Sequence, residues 1–215
     1  MSVTDATVPV AQVFTSALRG DPCLLIDADG ARGLLPTELW LRDADPADEA
    51  LLRLCDGPTV DIGCGPGRLT QALARRGRPV LGIDIVPEAV RLSLGRGVAA
   101  LLRDVFDPIP GEGRWATALL ADGNIGIGGD PVALLGRVRQ LIARQGRVVV
   151  EVAPPGTGVV TRWVRLETEV GRSDAFAWTL VGADAIGAVA VASGLRLRSR
   201  QAFGHRWSAV LDRAP

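Results

Sequence analysis

The chain has 215 residues, 47% hydrophobic and 22% charged, which suits one α/β domain or one domain with a small appendage. Its 24 basic residues balance its 24 acidic residues, so we expect neither a nucleic acid nor a membrane surface as partner. No apolar run approaches the roughly 18 residues that a membrane span needs. Residues 1–5 lack the layout of a signal peptide, and we expect a cytoplasmic protein.

Several residue types that carry chemistry are missing. Lysine and tyrosine are absent, so the chain offers no Schiff-base or P-loop lysine. The three cysteines, Cys23, Cys55 and Cys64, are widely spaced and form no C-x-x-C motif, so we expect neither a disulfide framework nor a metal site. The remaining acid–base candidates are carboxylates, these thiols and the single histidine, His205.

The first part of the chain predicts short elements. Residues 9–18 have the pattern of a helix that stops at Gly20, and residues 23–34 indicate a small hairpin or loop. Asp45 and Pro46 are typical of a helix start, and this helix is expected to reach about Cys55.

From residue 59 the pattern alternates between strand and helix. Continuous apolar strands separated by helices predict a parallel sheet that is covered on both faces. The predicted strands are residues 59–62, 79–83, 98–102, 116–121 and 147–150. The predicted helices run through Leu73, over residues 87–94, and over residues 130–143 with Gly146 just beyond.

The last third predicts an insertion and a closing hairpin. Residues 161–170 and 175–181 flank a turn at residues 171–174, and a helix follows over residues 183–193. Residues 196–203 and 206–212 are joined too tightly for a parallel crossover, so they must pair antiparallel. The predicted fold is a single Rossmann-like doubly wound α/β sheet, mostly parallel with an antiparallel last strand. We divide the chain into an N-terminal lid region, 1–44, and a ligand-binding domain, 45–215, with a hairpin insertion at about 158–182.

The strongest motif is the glycine-rich turn after the first parallel strand, Val60-Asp-Ile-Gly-Cys-Gly-Pro-Gly67. Such a turn lets the backbone approach a ligand closely. The carboxylate of Asp84, at the end of the next strand, can accept two hydrogen bonds from ribose hydroxyl groups. A dinucleotide motif would have glycine where this chain has Arg68, and Asp61 would repel a pyrophosphate. Asp61 suits a cationic ligand, which favours S-adenosylmethionine over NAD.

These residues resemble the first motif of the class I S-adenosylmethionine-dependent methyltransferases, and the resemblance covers about residues 45–212. It implies a seven-stranded sheet, with the loop against the methionine part, Asp61 near its amino group and Asp84 at the ribose. Asp104 would meet the adenine amine, with the amide of Val105 behind it. The cofactor-binding residues implied in this way are Asp61, Gly63, Cys64, Gly65, Gly67, Asp84, Ile85, Asp104, Val105 and Asp122.

Three acid–base candidates are expected at the carboxyl edge of the sheet, where ligands of such folds bind. Asp122 follows the fourth strand, Glu151 ends the fifth, and His205 lies in the turn of the closing hairpin. His205 is the candidate general base because histidine titrates near neutrality. Asp122 and Glu151 could instead hold loop N–H groups or the cofactor's amino group, and His205 could be a plain turn residue. Asn124 is a turn-former or orients the substrate.

The expected lid carries tryptophans and arginines, which together could cover a planar or anionic small molecule. The candidate substrate residues are Trp40, Arg162, Trp163, Arg165 and Trp178. The alternative is that these tryptophans are core residues and these arginines surface cations. The Asn/Asp-Pro-Pro-aromatic motif of nucleobase amino methylation is absent after the fourth strand.

The sequence therefore predicts a methyltransferase that moves a methyl group from S-adenosylmethionine to a small-molecule acceptor by in-line displacement, releasing S-adenosylhomocysteine. Two alternatives stay open: an NAD(P)-dependent oxidoreductase on a similar sheet, and a non-catalytic S-adenosylmethionine-binding protein. The acceptor, its methylated atom and the oligomeric state are not determined by the sequence.

Overall fold

A computed structural model describes residues 7–214, so residues 1–5, read above for a signal peptide, lie outside the described range. The strands are β1 (Thr7–Val8), β2 (Leu24–Asp27), β3 (Arg32–Leu34), β4 (Thr59–Ile62), β5 (Val80–Asp84), β6 (Ala100–Leu102), β7 (Trp115–Leu120), β8 (Ile142–Val152), β9 (Val159–Thr168), β10 (Gly171–Ser173), β11 (Phe176–Val181), β12 (Leu195–Phe203) and β13 (Arg206–Arg213). The helices are α1 (Val10–Leu18), α2 (Glu38–Leu41), α3 (Pro46–Leu52), α4 (Arg68–Arg75), α5 (Pro87–Gly95), α6 (Pro131–Leu141) and α7 (Ile186–Ala192), and an irregular 3₁₀ segment covers Asn124–Gly129.

The larger of two sheets has seven strands in the order β12-β13-β8-β7-β4-β5-β6. Neighbouring strands from β8 to β6 pair in parallel, whereas β13 pairs antiparallel with both β8 and β12. The predicted fold class is confirmed. Every residue of β4 is buried, as expected for a central strand covered by helices on both faces. The carboxyl ends of the parallel strands meet at one edge, which sets the position of the site.

The smaller sheet joins two parts of the chain that are far apart in sequence. Its order is β1-β10-β9-β2-β3, and β11 also pairs with β9. The N-terminal hairpin attaches through β2, in which Leu25 is opposite Leu166 of β9. Helix α1 packs on this sheet and buries Val13 and Ala17 against Leu166. The two segments predicted to form a lid are therefore one structure, although the domain boundary at residue 44 stays a prediction.

Two local predictions were wrong, and one helix was not predicted. Residues 171–174 are not a simple turn, because Gly171–Ser173 forms β10 and pairs with both β9 and β1. Helix α6 ends at Leu141 and β8 begins at once, so Gly146 lies within a strand, where a Cβ would be 2.8 Å from the carbonyl oxygen of Trp115. The sequence analysis also missed the single-turn helix α2.

Two further features concern the described residues only. The three cysteines are free thiols, and all three are buried. Among residues 7–214, no helix is both long and apolar enough to cross a bilayer.

The start of α6 provides a test of the fold. Oδ1 of Asp130 accepts hydrogen bonds from the backbone N–H groups of Val132 (3.0 Å) and Ala133 (2.9 Å). We expect Asp130→Ala to lower the free energy of unfolding by about 1 kcal/mol because these N–H groups lose their acceptor. Asp130→Asn keeps an acceptor oxygen and should retain most of the stability. Urea unfolding followed by circular dichroism measures both variants, and an unchanged midpoint for Asp130→Ala would contradict the assignment.

Candidate cofactor and acceptor site

A cavity of about 540 Å³ lies between the carboxyl edge of the parallel sheet and the smaller sheet. This volume is within the range of roughly 300–1,000 Å³ that is usual for ligand pockets. One side is formed by the loops that follow β4, β5, β6 and β7. The other side, which we call the apolar wall, consists of Val10, Phe14, Leu18, Leu25, Leu35, Trp40, Val164, Leu166, Phe176, Ala177 and Trp178.

The glycine-rich loop has a backbone that only glycine adopts easily. Gly63, Gly65 and Gly67 have φ angles of 68°, 54° and 84°. A Cβ on Gly63 would be 2.7 Å from Nδ2 of Asn124. That amide nitrogen donates to the carbonyl oxygens of Ile62 and Gly63, each at 2.9 Å. Asn124 lines the cavity, and its amide nitrogen anchors the loop.

Asp84 ties this loop to the end of the neighbouring strand β5. One carboxylate oxygen accepts from the N–H of Gly65 (2.8 Å), and the other accepts from the N–H of Val86 (2.9 Å). Burial raises the pKa of Asp84 above its ordinary value, although these N–H donors oppose the shift. Each oxygen keeps further lone pairs for the hydroxyl groups of a ligand.

Asp61 is a buried carboxylate at the base of the cavity. Its side chain accepts a hydrogen bond from Oγ1 of Thr70 at 2.7 Å. Burial raises the pKa of Asp61 to about 6 against the Thr70 hydrogen bond, and the nearby charges of Asp122 and Asp84 add to the increase. A cationic group in the cavity would stabilise the ionised carboxylate, so the site suits an ammonium better than an anion.

The loop after β6 forms the far end of the cavity. Oδ1 of Asp104 accepts from the N–H of Phe106 at 2.9 Å, and the carbonyl oxygen of Val105 accepts from Nε of Arg137, also at 2.9 Å. Ile85, Asp104 and Val105 all line the cavity. The structure thus brings together every residue of the cofactor-binding prediction except Gly67, which lies at the back of the loop against Ser93. Their contacts with a cofactor stay predictions.

A cluster of ion pairs, which we call the edge cluster, lies beside the loop. It comprises Asp48, Arg68, Asp122, Glu151 and Arg206. Arg68 pairs with Asp48 and Asp122, and Arg206 pairs with Asp48, Asp122 and Glu151. Burial would raise the pKa of Asp48, but hydrogen bonds from Arg68, the Asp45 backbone and Arg206 outweigh it and hold that pKa well below its ordinary range. Asp48 and Arg68 were missed by the sequence analysis, because their partners are distant in sequence.

Only one of the three acid–base candidates reaches the cavity. Asp122 lines it, with φ of 51°, the one positive φ at a non-glycine position within residues 7–214. Glu151 lies behind Asp122, accepts its N–H at 2.8 Å, and is held by Arg206. His205 is exposed in the turn between β12 and β13 and does not line the cavity. Burial raises the pKa of Asp122, although Arg68 opposes the shift.

The notable division among the six substrate candidates is between those that line the cavity, which include Asn124, and those that do not. Trp40 and Trp178 line the cavity, whereas Arg162, Trp163 and Arg165 do not. Along β9, Val164 and Leu166 are buried while Trp163 and Arg165 are exposed, as the alternation of a strand requires. Arg162 lies on the exposed first half of the same strand. The apolar wall was otherwise missed, although alternate apolar residues in β9 could have indicated its inner face.

Comparison with known proteins finds similarity to methyltransferases. Residues 60–150 match a family described as "Methyltransferase domain". A solved S-adenosylmethionine-dependent methyltransferase from Bacteroides fragilis, in complex with S-adenosyl-L-homocysteine, matches 100% of both chains with a TM-score of 0.80 and 19% identity. The 1,6-didemethyltoxoflavin-N1-methyltransferase of Burkholderia thailandensis matches 100% of this chain and 95% of its own, with a TM-score of 0.64 and 18% identity.

Sequence similarity to curated relatives is local. Over 50 residues, 22% of this chain, the sequence is 46% identical to a trans-aconitate 2-methyltransferase of Mycobacterium tuberculosis. The matching segments span only 16% to 26% of the lengths of the curated relatives. The family match thus places a methyltransferase domain at residues 60–150, and the solved structures show that the whole chain shares the methyltransferase fold. Both findings support the predicted family and its cofactor.

The glycine loop supports a first test of the site. We expect Gly63→Ala to weaken S-adenosylhomocysteine binding at least about tenfold, because the new Cβ displaces the Asn124 amide. Gly77→Ala is the matched control, since Gly77 also has a positive φ of 71° but its Cβ would meet nothing within 4 Å. Both variants carry backbone strain, and only Gly63→Ala should affect calorimetric binding. Equal affinities in the two variants would refute the anchoring role of Asn124.

The raised pKa of Asp61 predicts pH-dependent binding. A bound ammonium favours ionised Asp61, so affinity for S-adenosylmethionine should be full above the free-state pKa of about 6 and fall as Asp61 becomes protonated. Between about pH 7.5 and about pH 5 we expect a roughly tenfold loss of affinity. Asp61→Asn should bind more weakly without this dependence, and His205→Gln should keep the wild-type profile. A flat wild-type profile would contradict the role of Asp61.

Proposed function

We propose that this chain transfers a methyl group from S-adenosylmethionine to a small-molecule acceptor. The observation that carries the proposal is a continuous cavity, with the glycine loop, Asp61 and Asp84 on one side and the apolar wall on the other. A cofactor on the loop would thus face an acceptor against the wall. The cavity lies at the carboxyl edge of the parallel strands, where ligands of open α/β sheets bind.

The residues of the loop side would each hold one part of the cofactor. Asp61 would face the ammonium group, and Asp84 would accept hydrogen bonds from the ribose hydroxyl groups. Asp104 and the N–H of Val105 would meet the adenine. These residues fit the group, because carboxylates lie where acceptors for its hydroxyl and ammonium donors are needed and glycines line the closest approach.

S-adenosylmethionine supplies a methyl group on a sulfonium. A nucleophilic atom of the acceptor forms a bond to the methyl carbon as the C–S bond breaks. The electron pair of the C–S bond stays on sulfur, and the acceptor releases its proton. The protein's main contribution is alignment, which can supply roughly 7–11 kcal/mol of the barrier. Asp122 is the acid–base candidate that lines the cavity, and we propose it as the residue that contacts the reacting groups or the ammonium. A cytoplasmic location remains part of the proposal.

Titration with three ligands tests the proposed function. We expect wild-type protein to bind S-adenosylmethionine and S-adenosylhomocysteine but not NAD(H), because a buried carboxylate at Asp61 disfavours a pyrophosphate. Asp84→Ala should weaken binding of the first two ligands by at least about tenfold, which is about 1.4 kcal/mol. Calorimetry measures each affinity.

The matched control is Asp56→Ala. Asp56 precedes β4, at the opposite edge of the sheet, and its exposed side chain pairs with Arg78 at 3.4 Å. Binding in this variant should equal wild type. Binding of NAD(H) alone would sink the proposal, and binding of S-adenosylmethionine without turnover on any acceptor would favour a non-catalytic binder.

A further inference from the structure

The two sides of the cavity differ in charge. All the ionisable side chains that line it belong to the loop side: Asp61, Cys64, Arg68, Asp84, Arg103, Asp104 and Asp122. The apolar wall, within the described residues, contributes only aliphatic and aromatic side chains. An acceptor against this wall therefore meets no charged partner there.

Of the arginines near this space, Arg68 and Arg165 are engaged by other groups, and Arg103 lines the cavity from the loop side. Arg68 is 4% exposed and pairs with Asp48 and Asp122. Arg103 is exposed and lies beside Asp104, at the adenine end proposed above. Arg165 is on the outer face of β9, where it donates to the carbonyl oxygen of Ser173 at 3.3 Å. At the apolar wall, a carboxylate or phosphate on the acceptor would lose its hydration without gaining an ion pair.

Two aromatic pairs give the wall its shape. The ring centroids of Phe14, on α1, and Trp40 are 6.4 Å apart, and the ring planes meet at 45°. The ring centroids of Phe176 and Trp178, both on β11, are 6.3 Å apart, and the ring planes meet at 83°. All four rings line the cavity, with Leu25 and Leu166 among the aliphatic residues of the wall. Ring faces and edges of this kind pack well against a flat apolar molecule.

We propose that the acceptor is an uncharged, planar and mainly apolar molecule, such as an aromatic ring that carries the nucleophile, and that it packs against the apolar wall. This inference rests on the proposed function and narrows its substrate class. The sequence suggested either a planar or an anionic substrate, and the structure favours the planar one, because Trp40 and Trp178 line the cavity whereas Arg162 and Arg165 do not.

A matched pair of probes tests the charge preference. Protein saturated with S-adenosylhomocysteine is titrated with 2-naphthol and with 6-hydroxy-2-naphthoate, which has the same ring and hydroxyl group plus a carboxylate. We expect 2-naphthol to bind at least about tenfold more tightly, because the carboxylate has no partner at the wall. Trans-aconitate, a tricarboxylate, is included as the strongly anionic probe and should not bind.

Tryptophan variants test where the probe binds. Trp178→Ala and Trp40→Ala should each weaken 2-naphthol binding at least about fivefold. Trp163→Ala is the matched control: Trp163 is on the neighbouring strand, is 59% exposed and does not line the cavity. Two cavity variants are used because Trp178 also packs on Gly126. Unchanged S-adenosylhomocysteine affinity shows that each variant keeps the cofactor half intact.

The outcomes separate the two proposals. If wild-type protein fails to bind S-adenosylhomocysteine, the proposed function fails and this inference fails with it. If the cofactor product binds, three results overturn the inference alone: naphthoate or trans-aconitate binds as tightly as 2-naphthol, 2-naphthol does not bind at millimolar concentration, or its binding is unchanged in both Trp40→Ala and Trp178→Ala.

Discussion

The buried guanidinium of Arg68 holds the carboxyl edge of the parallel sheet in place. It is the first residue of α4, directly after the glycine loop, and it pairs with Asp48 of α3 and with Asp122 after β7. Arg206 extends the cluster to Glu151 and the antiparallel strand β13. A buried charge that loses its partner is strongly destabilising, so these ion pairs favour the state in which the elements that carry them are docked together. The edge cluster thus links the position of the loop to the packing of the whole edge.

Much of the parallel sheet could be predicted from sequence because its elements follow local rules. Apolar runs, glycine stops and Asp-Pro helix starts are signals within one segment, and they located β4 to β7 and α3 to α6 to within a few residues. The smaller sheet could not be assembled in this way. The pairing of β2 with β9 joins residues that no local pattern connects, and β10 looked like a turn because three residues carry little strand signal.

The candidate site shows the same division. Asp61, Asp84, Asp104 and the glycines follow strand ends in a fixed order, so the sequence located them. From sequence, Arg68 served only to exclude a dinucleotide motif, which has glycine at that position. In the structure it is the centre of the edge cluster. The side of β9 that faces the cavity depends on its pairing, and without the register Trp163 and Trp178 are indistinguishable in sequence. His205 was placed at the correct edge, but the hairpin turn carries it into solvent.

The pairing of β9 between β2 on one side and β10 and β11 on the other has a consequence for the order of folding. Strand β2 cannot find its partner until the chain up to β9 exists, and closing so long a loop is slow compared with pairing within the parallel sheet. The strands from β4 to β8 have partners closer in sequence. The parallel sheet, which carries the glycine loop, is thus able to form first. The smaller sheet, which covers the cavity, is assembled last because its two segments are the farthest apart in sequence.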